Sequence, residues 1–426
     1  MKLLCAPAKE NYPGRDFDLR VDLFSNSGFK SRGHIGSLIA ERMRRAKLNP
    51  SARAWDLLSL VLAVVAADHA HHRNESPDGW TRQIDITVAV CDPAFWNTQS
   101  ALLRYLLGFL TTDVWNVEFV GKGFVPAPHP SPPASPEDCV VLISGGLDSL
   151  IGAIDLTVAG RTPLAVSHIV RGDREKQGIF ANRILPKALR LIQLNHNVTV
   201  PHPETPPSQR SRSLVFLAYG VLAATTLDRY KASPPLTLFV CENGFITVNP
   251  PLTGSRIGSL STRTTHPVVL SLFQELLNGA GLAVKLSNPY QLQTKGEMLV
   301  GCANQTLLDE LAAMSTSCGR FKQFGYTHCG RCVPCLIRRA AFLHADRPDK
   351  TKYKYQSLSI NSAQRMRFDD VRSAKMAIEQ ERKVGVERWL GATLASPRIT
   401  QAPAIRDMIK RGLAELDAFL TQQQVK

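Results

Sequence analysis

The sequence predicts an α/β protein whose core is a parallel sheet covered by helices. Three observations support this fold class. From Asp138 onward, short β-branched apolar runs alternate with amphipathic stretches, as in βαβ units. The run from Cys139 to Ile143 has the composition of a buried parallel strand. A Ser-Gly-Gly turn follows that run directly and leads into a helical stretch from Leu147 to Leu156, an order typical of anion-binding turns.

Length and composition indicate a large basic protein with no membrane segment. The chain has 426 residues, of which 44% are hydrophobic, enough for about two or three domains. Its longest apolar run, Leu57 to Ala67, is too short to span a bilayer, and the first residues lack the apolar core of a signal peptide. We therefore expect a cytoplasmic protein. The net charge of +15 suits a nucleic acid, a nucleotide or an acidic protein partner, although a solvated basic surface fits it equally well.

Residues 1–125 are predicted to form an α+β accessory domain. Alternating or helical apolar spacing predicts, in chain order, a strand over Asp18 to Phe24, a helix over Ala52 to His72, a strand over Gln83 to Val90, a helix over Trp96 to Leu110 and a strand over Val114 to Val120. No catalytic constellation stands out in this region. Adjacent histidines at the end of the first helix offer metal ligands but are interpreted as solvated. We assign the domain to partner or substrate binding.

A proline-rich segment separates this region from the rest of the chain. Val125 to Pro136 contains six prolines in twelve residues, a composition that gives an extended, semi-rigid linker. The domain boundary is therefore placed at residues 126–137.

Residues 138–345 are predicted to form the parallel-sheet domain. After the first strand and helix, the predicted elements are, in order, a strand Thr162 to Val170, a helix Ile179 to Ile192, a strand Val198 to Val200, a helix Ser213 to Tyr230, a strand Leu236 to Cys241, a helix Pro267 to Gly279, a strand Val284 to Leu286 and a helix Lys295 to Asp309. Ligands of such sheets bind at the carboxyl ends of the strands, and the Ser-Gly-Gly turn lies at one of these ends.

The turn itself has the properties of a pyrophosphate site. Its six residues are Ser144, Gly145, Gly146, Leu147, Asp148 and Ser149. The glycines allow the backbone to approach a ligand closely, and the N–H groups at the helix start favour an anion. An ordinary βα turn is the alternative interpretation. The hexapeptide matches the Ser-Gly-Gly-x-Asp-Ser motif and resembles the PP-loop ATP pyrophosphatases, which cleave ATP between its α and β phosphates. The Gly-x-x-x-x-Gly-Lys-Ser/Thr loop of γ-phosphoryl transfer is absent.

Further polar residues follow the predicted strands or begin the predicted helices. Gathered on one rim, they would supply cations for phosphate and carboxylate groups, and donors and acceptors for the edge of a purine. For each one alone, a solvated loop position is the simpler interpretation. The residues are His168, Arg212, Glu242, Asn243, Thr262, Arg263 and Lys295.

Four of the nine cysteines form a cluster with metal-ligand spacing. The pattern is Cys318-x10-Cys329-Gly-Arg-Cys332-Val-Pro-Cys335, and the other five cysteines are scattered. Four thiolates match a closed structural Zn²⁺ site. The Cys-x2-Cys-x2-Cys run also suits an iron–sulfur cluster. Beyond the cluster, residues 346–426 form a basic, helical extension that ends in an amphipathic helix, Ile405 to Leu420, in which we see no chemistry.

Together these motifs resemble the 7-cyano-7-deazaguanine synthase (QueC) family over roughly residues 138–345. The resemblance rests on the hexapeptide turn, Arg212 before its helix, Thr294-Lys295-Gly296-Glu297, and the cysteine pattern followed by Arg338 and Ala341-Phe342. It implies a Rossmann-like PP-loop fold of the adenine nucleotide alpha hydrolase type. It also implies ATP, Mg²⁺ and a structural zinc held by the four cysteines. Members of the family adenylate 7-carboxy-7-deazaguanine, add ammonia to give an amide and dehydrate it to a nitrile.

The resemblance also implies roles for individual residues. The turn from Ser144 to Ser149, with His168, would bind ATP. Asp148 would hold Mg²⁺ or orient the ATP, while Lys295 and Arg212 would neutralise charge at the α-phosphate. The substrate contacts would come from Glu242, Asn243, Thr262 and Arg263.

Two departures from the family pattern bear on the product. The family's Tyr-Pro-Asp-Cys-Arg segment is missing, and the chain adds a domain before the core and an extension after it. In this respect it is similar to the long QueC-like subunits of Qat anti-phage operons. The acceptor is then ammonia or an amine of a protein partner from the same operon. Two other interpretations are a tRNA-modifying PP-loop enzyme and a non-catalytic nucleotide-binding subunit.

Overall fold

The structure is a computed structural model that describes residues 1–26, 30–170, 172–185, 189–205, 208, 210–253, 263–358 and 370–425. Within these ranges, no helix has both the length and the apolar character needed to cross a membrane. The predicted substrate residue Thr262 lies outside the described residues.

Ten strands form two parallel five-stranded sheets within this part of the chain. Strands β1 to β5 are Lys2–Pro7, Leu19–Leu23, Gly33–Ile35, Gln83–Ala89 and Val114–Val120. Strands β6 to β10 are Cys139–Leu142, Pro163–His168, Leu191–Leu194, Leu236–Phe239 and Val284–Ser287. The parallel α/β architecture predicted for residues from Asp138 onward is confirmed.

The helices cover these sheets and continue beyond them. Helices α1 to α4 are Ile39–Arg45, Ala52–Ala70, Pro93–Thr98 and Ser100–Thr111. Helices α5 to α9 are Leu147–Val158, Arg174–Ile184, Arg212–Ala224, Asp228–Ala232 and Gly244–Val248. Helices α10 to α13 are Pro267–Gly279, Lys295–Gly301, Gln305–Leu311 and Val333–His344, and α14 to α16 are Asp370–Val384, Val386–Leu390 and Ala402–Gln422.

The two sheets have the same strand order. The first runs β3-β2-β1-β4-β5 and the second β8-β7-β6-β9-β10, so each is a parallel sheet whose order reverses beside its first strand. The α+β prediction for residues 1–125 is therefore wrong. Strand β4 pairs with parallel neighbours on both sides, and its alternating sequence gives one face that is buried and one that is only partly buried.

Some predicted helices and strands have different boundaries in the structure. The helix predicted over Ile179 to Ile192 ends at Ile184, and Leu191–Leu194 is instead the edge strand β8. Pro186 explains the early end, because proline disfavours helical conformation in the residue before it. The strand predicted over Val198 to Val200 is absent, and Thr199 forms an isolated antiparallel bridge with His34 of the first sheet.

Two other predicted helices are each interrupted. The helix predicted over Trp96 to Leu110 breaks at Gln99 between α3 and α4. The helix predicted over Lys295 to Asp309 breaks where the Asn304 side chain caps α12 by accepting from Leu307 N. A polar cap within an apolar repeat thus overrides its periodicity.

The two sheets share one continuous hydrophobic core. Helix α2 of the first sheet packs along α7 of the second, and almost all of α2 is buried. Val61 and Leu62 from α2 join the same cluster as Leu217 and Leu222 from α7. Folding of the region that follows the linker is therefore coupled to residues 1–125.

A buried charge network stabilises this junction. The Arg82 guanidinium, 0% exposed, donates to Asp68 at 2.6 Å and to Asp113 at 2.7 Å. Asp68 also accepts from the Ser211 hydroxyl of the second sheet's region at 2.8 Å. Because all three charges are enclosed, each depends on the others for its solvation.

Replacement of Arg82 by alanine should destabilise the protein strongly. It leaves the buried Asp68 carboxylate without its cation and removes one of the two arginines that pair with Asp113, the other being Arg73. Breaking a buried ion pair in this way typically costs about 3–5 kcal/mol. Chemical denaturation followed by circular dichroism measures the loss. Arg15→Ala is the matched control, since Arg15 pairs with Glu118 at the surface and should contribute less than about 1 kcal/mol. A similar small loss for both variants would contradict the prediction.

Candidate functional site

The candidate site lies where the strand order of the second sheet reverses. Strands β6 and β9 are neighbours there. Strands β7 and β8 extend the sheet on the β6 side, and β10 extends it on the β9 side. In doubly wound sheets this position opens a crevice at the carboxyl ends of the strands. The Ser-Gly-Gly turn follows β6, and Glu242 and Asn243 follow β9.

The turn between β6 and α5 is held by its own serines. Gly145 has φ of +90°, a conformation that favours glycine. Ser144 Oγ accepts from Gly146 N at 3.1 Å, and Ser149 Oγ accepts from Ser144 N at 3.2 Å. The first-turn N–H groups of α5 have no acceptor within the helix, and the residues that carry them, Leu147, Asp148 and Ser149, line the crevice.

Asp148 is the centre of the charged groups in the crevice. Its carboxylate is paired with the Lys295 ammonium and accepts from the Asn243 backbone at 3.2 Å and side-chain amide at 2.6 Å. Both members of the ion pair are almost fully buried. Asn243 also caps α9 through its amide oxygen, so one residue fixes both the helix and the carboxylate.

Glu242 lies next to this ion pair. Burial, reinforced by the negative charge of Asp148, raises the pKa of Glu242 to about 7, against a smaller opposing effect from Lys295. The carboxyl group therefore exchanges its proton near neutral pH. Two carboxyl groups in one enclosed crevice form a donor set that suits a hard divalent cation such as Mg²⁺.

A cavity of about 210 Å³ joins these groups. The sequence did not indicate that Thr316, Ser317 and Pro334, from the cysteine segment, also line it. Thr316 N donates to Gly145 O at 2.8 Å, which attaches that segment to the glycine turn. The predicted residues that this cavity brings together are Ser144, Gly146, Leu147, Asp148, Ser149, Glu242 and Lys295.

His168 and Arg212 line a second cavity, of about 270 Å³, at the ends of β7 and β8. His196 stacks near His168, with ring centroids 4.8 Å apart, and burial lowers the pKa of His168 to about 2 and of His196 to about 4. Both rings are therefore neutral. Gln177 connects the two cavities, because its side-chain amide donates to Ser144 O and His168 O at 3.2 and 3.1 Å.

Arg263 lies away from the glycine turn. Its guanidinium is 4.5 Å from the Phe109 ring centroid and donates to Phe109 O. It lines a third cavity, of about 760 Å³, together with residues such as Val248 and Trp389. Arg263 and Glu242 therefore line different cavities, and the substrate contact of Arg263 stays a prediction. His266, three residues later, also lies beside Phe109 of α4, with ring centroids 5.3 Å apart.

The four clustered cysteines have the geometry of a site for a single ion. Their sulfur atoms all lie within 4.8 Å of one another. The Cys329–Cys335 and Cys318–Cys332 pairs are 3.9 and 3.8 Å apart. Four sulfurs at about 2.3 Å from one Zn²⁺ would lie about 3.8 Å apart in a tetrahedron. An iron–sulfur cluster would place several irons between them and hold the sulfurs farther apart.

Two similar turns present these sulfurs. The tripeptide Cys-Gly-Arg occurs twice, beginning at Cys318 and at Cys329. In each copy the backbone N–H of the arginine donates to the cysteine sulfur at 3.4 Å. Gly330 has φ of +85°, and a Cβ there would lie 2.5 Å from Tyr355 O. Such N–H groups stabilise the thiolate form that a metal requires.

Arg338 connects the cysteine segment to the crevice. It is fully buried and donates to Ser315 Oγ at 2.8 Å, Ser317 Oγ at 3.1 Å and Ala312 O at 2.6 Å. These residues surround Thr316, which binds Gly145. Arg338 thus fixes the segment that connects the cysteine cluster to the glycine turn.

The corresponding edge of the first sheet is closed by side chains. Arg20 donates to the carbonyl groups of Pro7, Ala8 and Glu10 just beyond β1. The Tyr12 hydroxyl donates to Gly121 O beyond β5. Two sheets of the same order therefore differ at their carboxyl edges, and the open crevice belongs to the second.

Neither the scan against protein-family models nor the search of curated proteins found a match for this chain.

Proposed function

We propose that the protein is an ATP-dependent ligase of the adenylating type that acts on a 7-deazaguanine carboxylate. The observation that carries the proposal is the buried Asp148–Lys295 ion pair, with Glu242 beside it, at the mouth of a glycine turn and helix start. Anion-binding N–H groups, a buried cation and two carboxyl groups are the parts that adenylation needs.

The pyrophosphate of ATP would lie on the turn. The first-turn N–H groups of α5 and the hydroxyl groups of Ser144 and Ser149 point to that role. Asp148 and Glu242 would hold Mg²⁺, which when bound draws charge from the phosphate oxygens. The nucleoside would extend toward the second cavity, where neutral His168, His196 and Asn195 offer donors and acceptors.

The reaction is an in-line displacement. A carboxylate oxygen of the substrate forms a bond to the α-phosphorus, and the bond from that phosphorus to the bridging oxygen breaks, releasing pyrophosphate. Lys295 would neutralise charge that develops on the α-phosphate. An amine then attacks the acyl carbon, loses a proton and displaces AMP. No side-chain nucleophile is required.

The domain before the core and the extension after it bear on which amine is the acceptor. If the protein is a synthase like the QueC family, the acceptor would be ammonia. If it acts in anti-phage defence, the acceptor would be an amine of a partner protein. The third cavity supports a partner, because Phe109 of the amino-terminal region and Trp389 of the carboxyl-terminal extension both line it. Its size of about 760 Å³ would accommodate the end of a peptide.

Exchange of labelled pyrophosphate into ATP tests the proposal. We expect exchange when purified protein receives ATP, Mg²⁺ and 7-carboxy-7-deazaguanine, and only background exchange without the carboxylate, because the acyl-adenylate forms reversibly. ATP binding without any exchange would contradict the ligase and favour the non-catalytic nucleotide-binding subunit. Exchange that requires added tRNA would favour the tRNA-modifying enzyme.

A further inference from the structure

The carboxyl-terminal helix α16 packs on both elements that present the charged groups of the crevice. A Cβ on Gly412 of α16 would lie 2.4 Å from the Phe245 ring of α9. A Cβ on Gly244 at the start of α9 would lie 2.9 Å from the Met408 side chain of α16. Helix α9 follows Glu242 and Asn243 directly, so the extension lies immediately behind the crevice.

The same helix contacts the start of α11, which begins with Lys295. Glu415 of α16 is 7% exposed. Its carboxylate accepts from the Thr294 hydroxyl and, at 3.3 Å, from Gly296 N. These two residues lie on either side of Lys295 in the chain. A Cβ on Gly296 would lie 2.7 Å from the carboxylate, so glycine is what permits this approach.

A second contact strengthens the attachment. Arg411, one turn earlier on α16, donates to Glu297 at 2.5 Å and to Leu292 O at 2.9 Å. Glu297 in turn accepts from Thr294 N to complete the capping box of α11. The extension therefore holds the residues before and after Lys295 by hydrogen bonds that involve charged groups, which are stronger than neutral ones.

We propose that Glu415 is a positioning residue that fixes the backbone on both sides of Lys295 and so holds its ammonium group on Asp148. The inference rests on the proposed function for the role of Lys295 in the reaction. A lysine side chain is a flexible four-carbon stem, and the position of its charged end depends on how firmly its base is held. The extension thus has a part in the chemistry without touching the substrate.

Two substitutions of Glu415 test this inference in the full-length protein. Glu415→Gln keeps the size and one acceptor oxygen, whereas Glu415→Ala removes both acceptors. We expect kcat for pyrophosphate formation to fall about 10- to 100-fold in the alanine variant and less in the glutamine variant. The KM for ATP should stay close to its wild-type value, because the phosphate-binding turn is unchanged.

Asp417→Asn is the matched control. Asp417 lies on the same helix, but it pairs with Lys375 and Arg382 of the extension, at 3.1 and 2.6 Å, and not with α11. We expect its kcat to equal that of the wild type. An equal loss in the Asp417 and Glu415 variants would show that only the stability of the extension matters and would overturn the inference.

A readout independent of turnover separates this inference from the proposed function. The rate at which an amine-directed acylating reagent labels Lys295, measured by mass spectrometry of the ligand-free protein, should rise several-fold in Glu415→Ala and remain unchanged in Asp417→Asn. If the wild type forms no pyrophosphate but labelling changes as expected, the proposed function fails and the positioning role stands. Unchanged labelling in both Glu415 variants overturns the positioning role.

Discussion

Asp148→Asn should abolish the formation of AMP and pyrophosphate while leaving the protein folded. The asparagine has nearly the same shape, yet it removes the charge that orients Lys295 and would bind Mg²⁺. The backbone N–H and the side-chain amide of Asn243 donate to the same oxygen of Asp148, and the amide oxygen of an asparagine can still accept both hydrogen bonds. We expect a fall of at least about 10³-fold in turnover, the order lost when a preorganised charged group is removed from an active site.

Asp138→Asn provides the control for this substitution. Asp138 also pairs with a cation, Arg161, at 2.5 Å, but it precedes β6 at the opposite end of the strand from the crevice. Turnover by Asp138→Asn should match that of the wild type. The wild type, Asp138→Asn and Asp148→Asn should all give the same circular dichroism spectrum. Equal turnover in the Asp148 variant and the wild type would show that the ATP site is not at the turn.

The parts of the site that were predictable are those that local sequence determines. The turn from Ser144 to Ser149 is contiguous, and its strand, glycines and helix start define its geometry with no help from distant residues. Glu242, Asn243 and Lys295 also follow from a rule, since the carboxyl ends of parallel strands meet at one edge. The four cysteines needed only their spacing.

The parts that were not predictable depend on contacts between distant segments. Nothing in the sequence near Glu415 indicates that α16 would reach Gly296, since an acidic residue on an amphipathic helix is ordinarily solvated. Arg263 follows the same strand region as Glu242, but it turns toward Phe109 of the first sheet. The sequence also did not indicate that the two sheets share a strand order. In the first sheet a loop, and no regular helix, connects β1 to β2, so the β-then-α alternation is missing there.

Loss of the metal should have the largest effect on stability. Purified protein should carry about one zinc per chain, because four thiolates complete its coordination. Cys332→Ser removes one ligand from a site whose binding energy contributes directly to folding. We expect the melting temperature to fall by roughly 10 °C or more, which corresponds to several kcal/mol in a chain of this size. Cys91→Ser is the control, since Cys91 is exposed and outside the cluster.

Loss of the metal should also disturb the crevice. Such an effect distinguishes a structural metal from an incidental one. The segment that begins at Cys318 is preceded by Thr316, whose N–H binds Gly145 O, and Arg338 holds both sides of Thr316 through Ser315 and Ser317. Without the metal this segment loses its anchor, and the glycine turn loses a backbone hydrogen bond. Removal of zinc by a chelator, followed by metal analysis, calorimetry and pyrophosphate exchange, should therefore lower stability and exchange together. Iron in the metal analysis, or a metal-free protein of unchanged melting temperature, would contradict the assignment of a structural zinc.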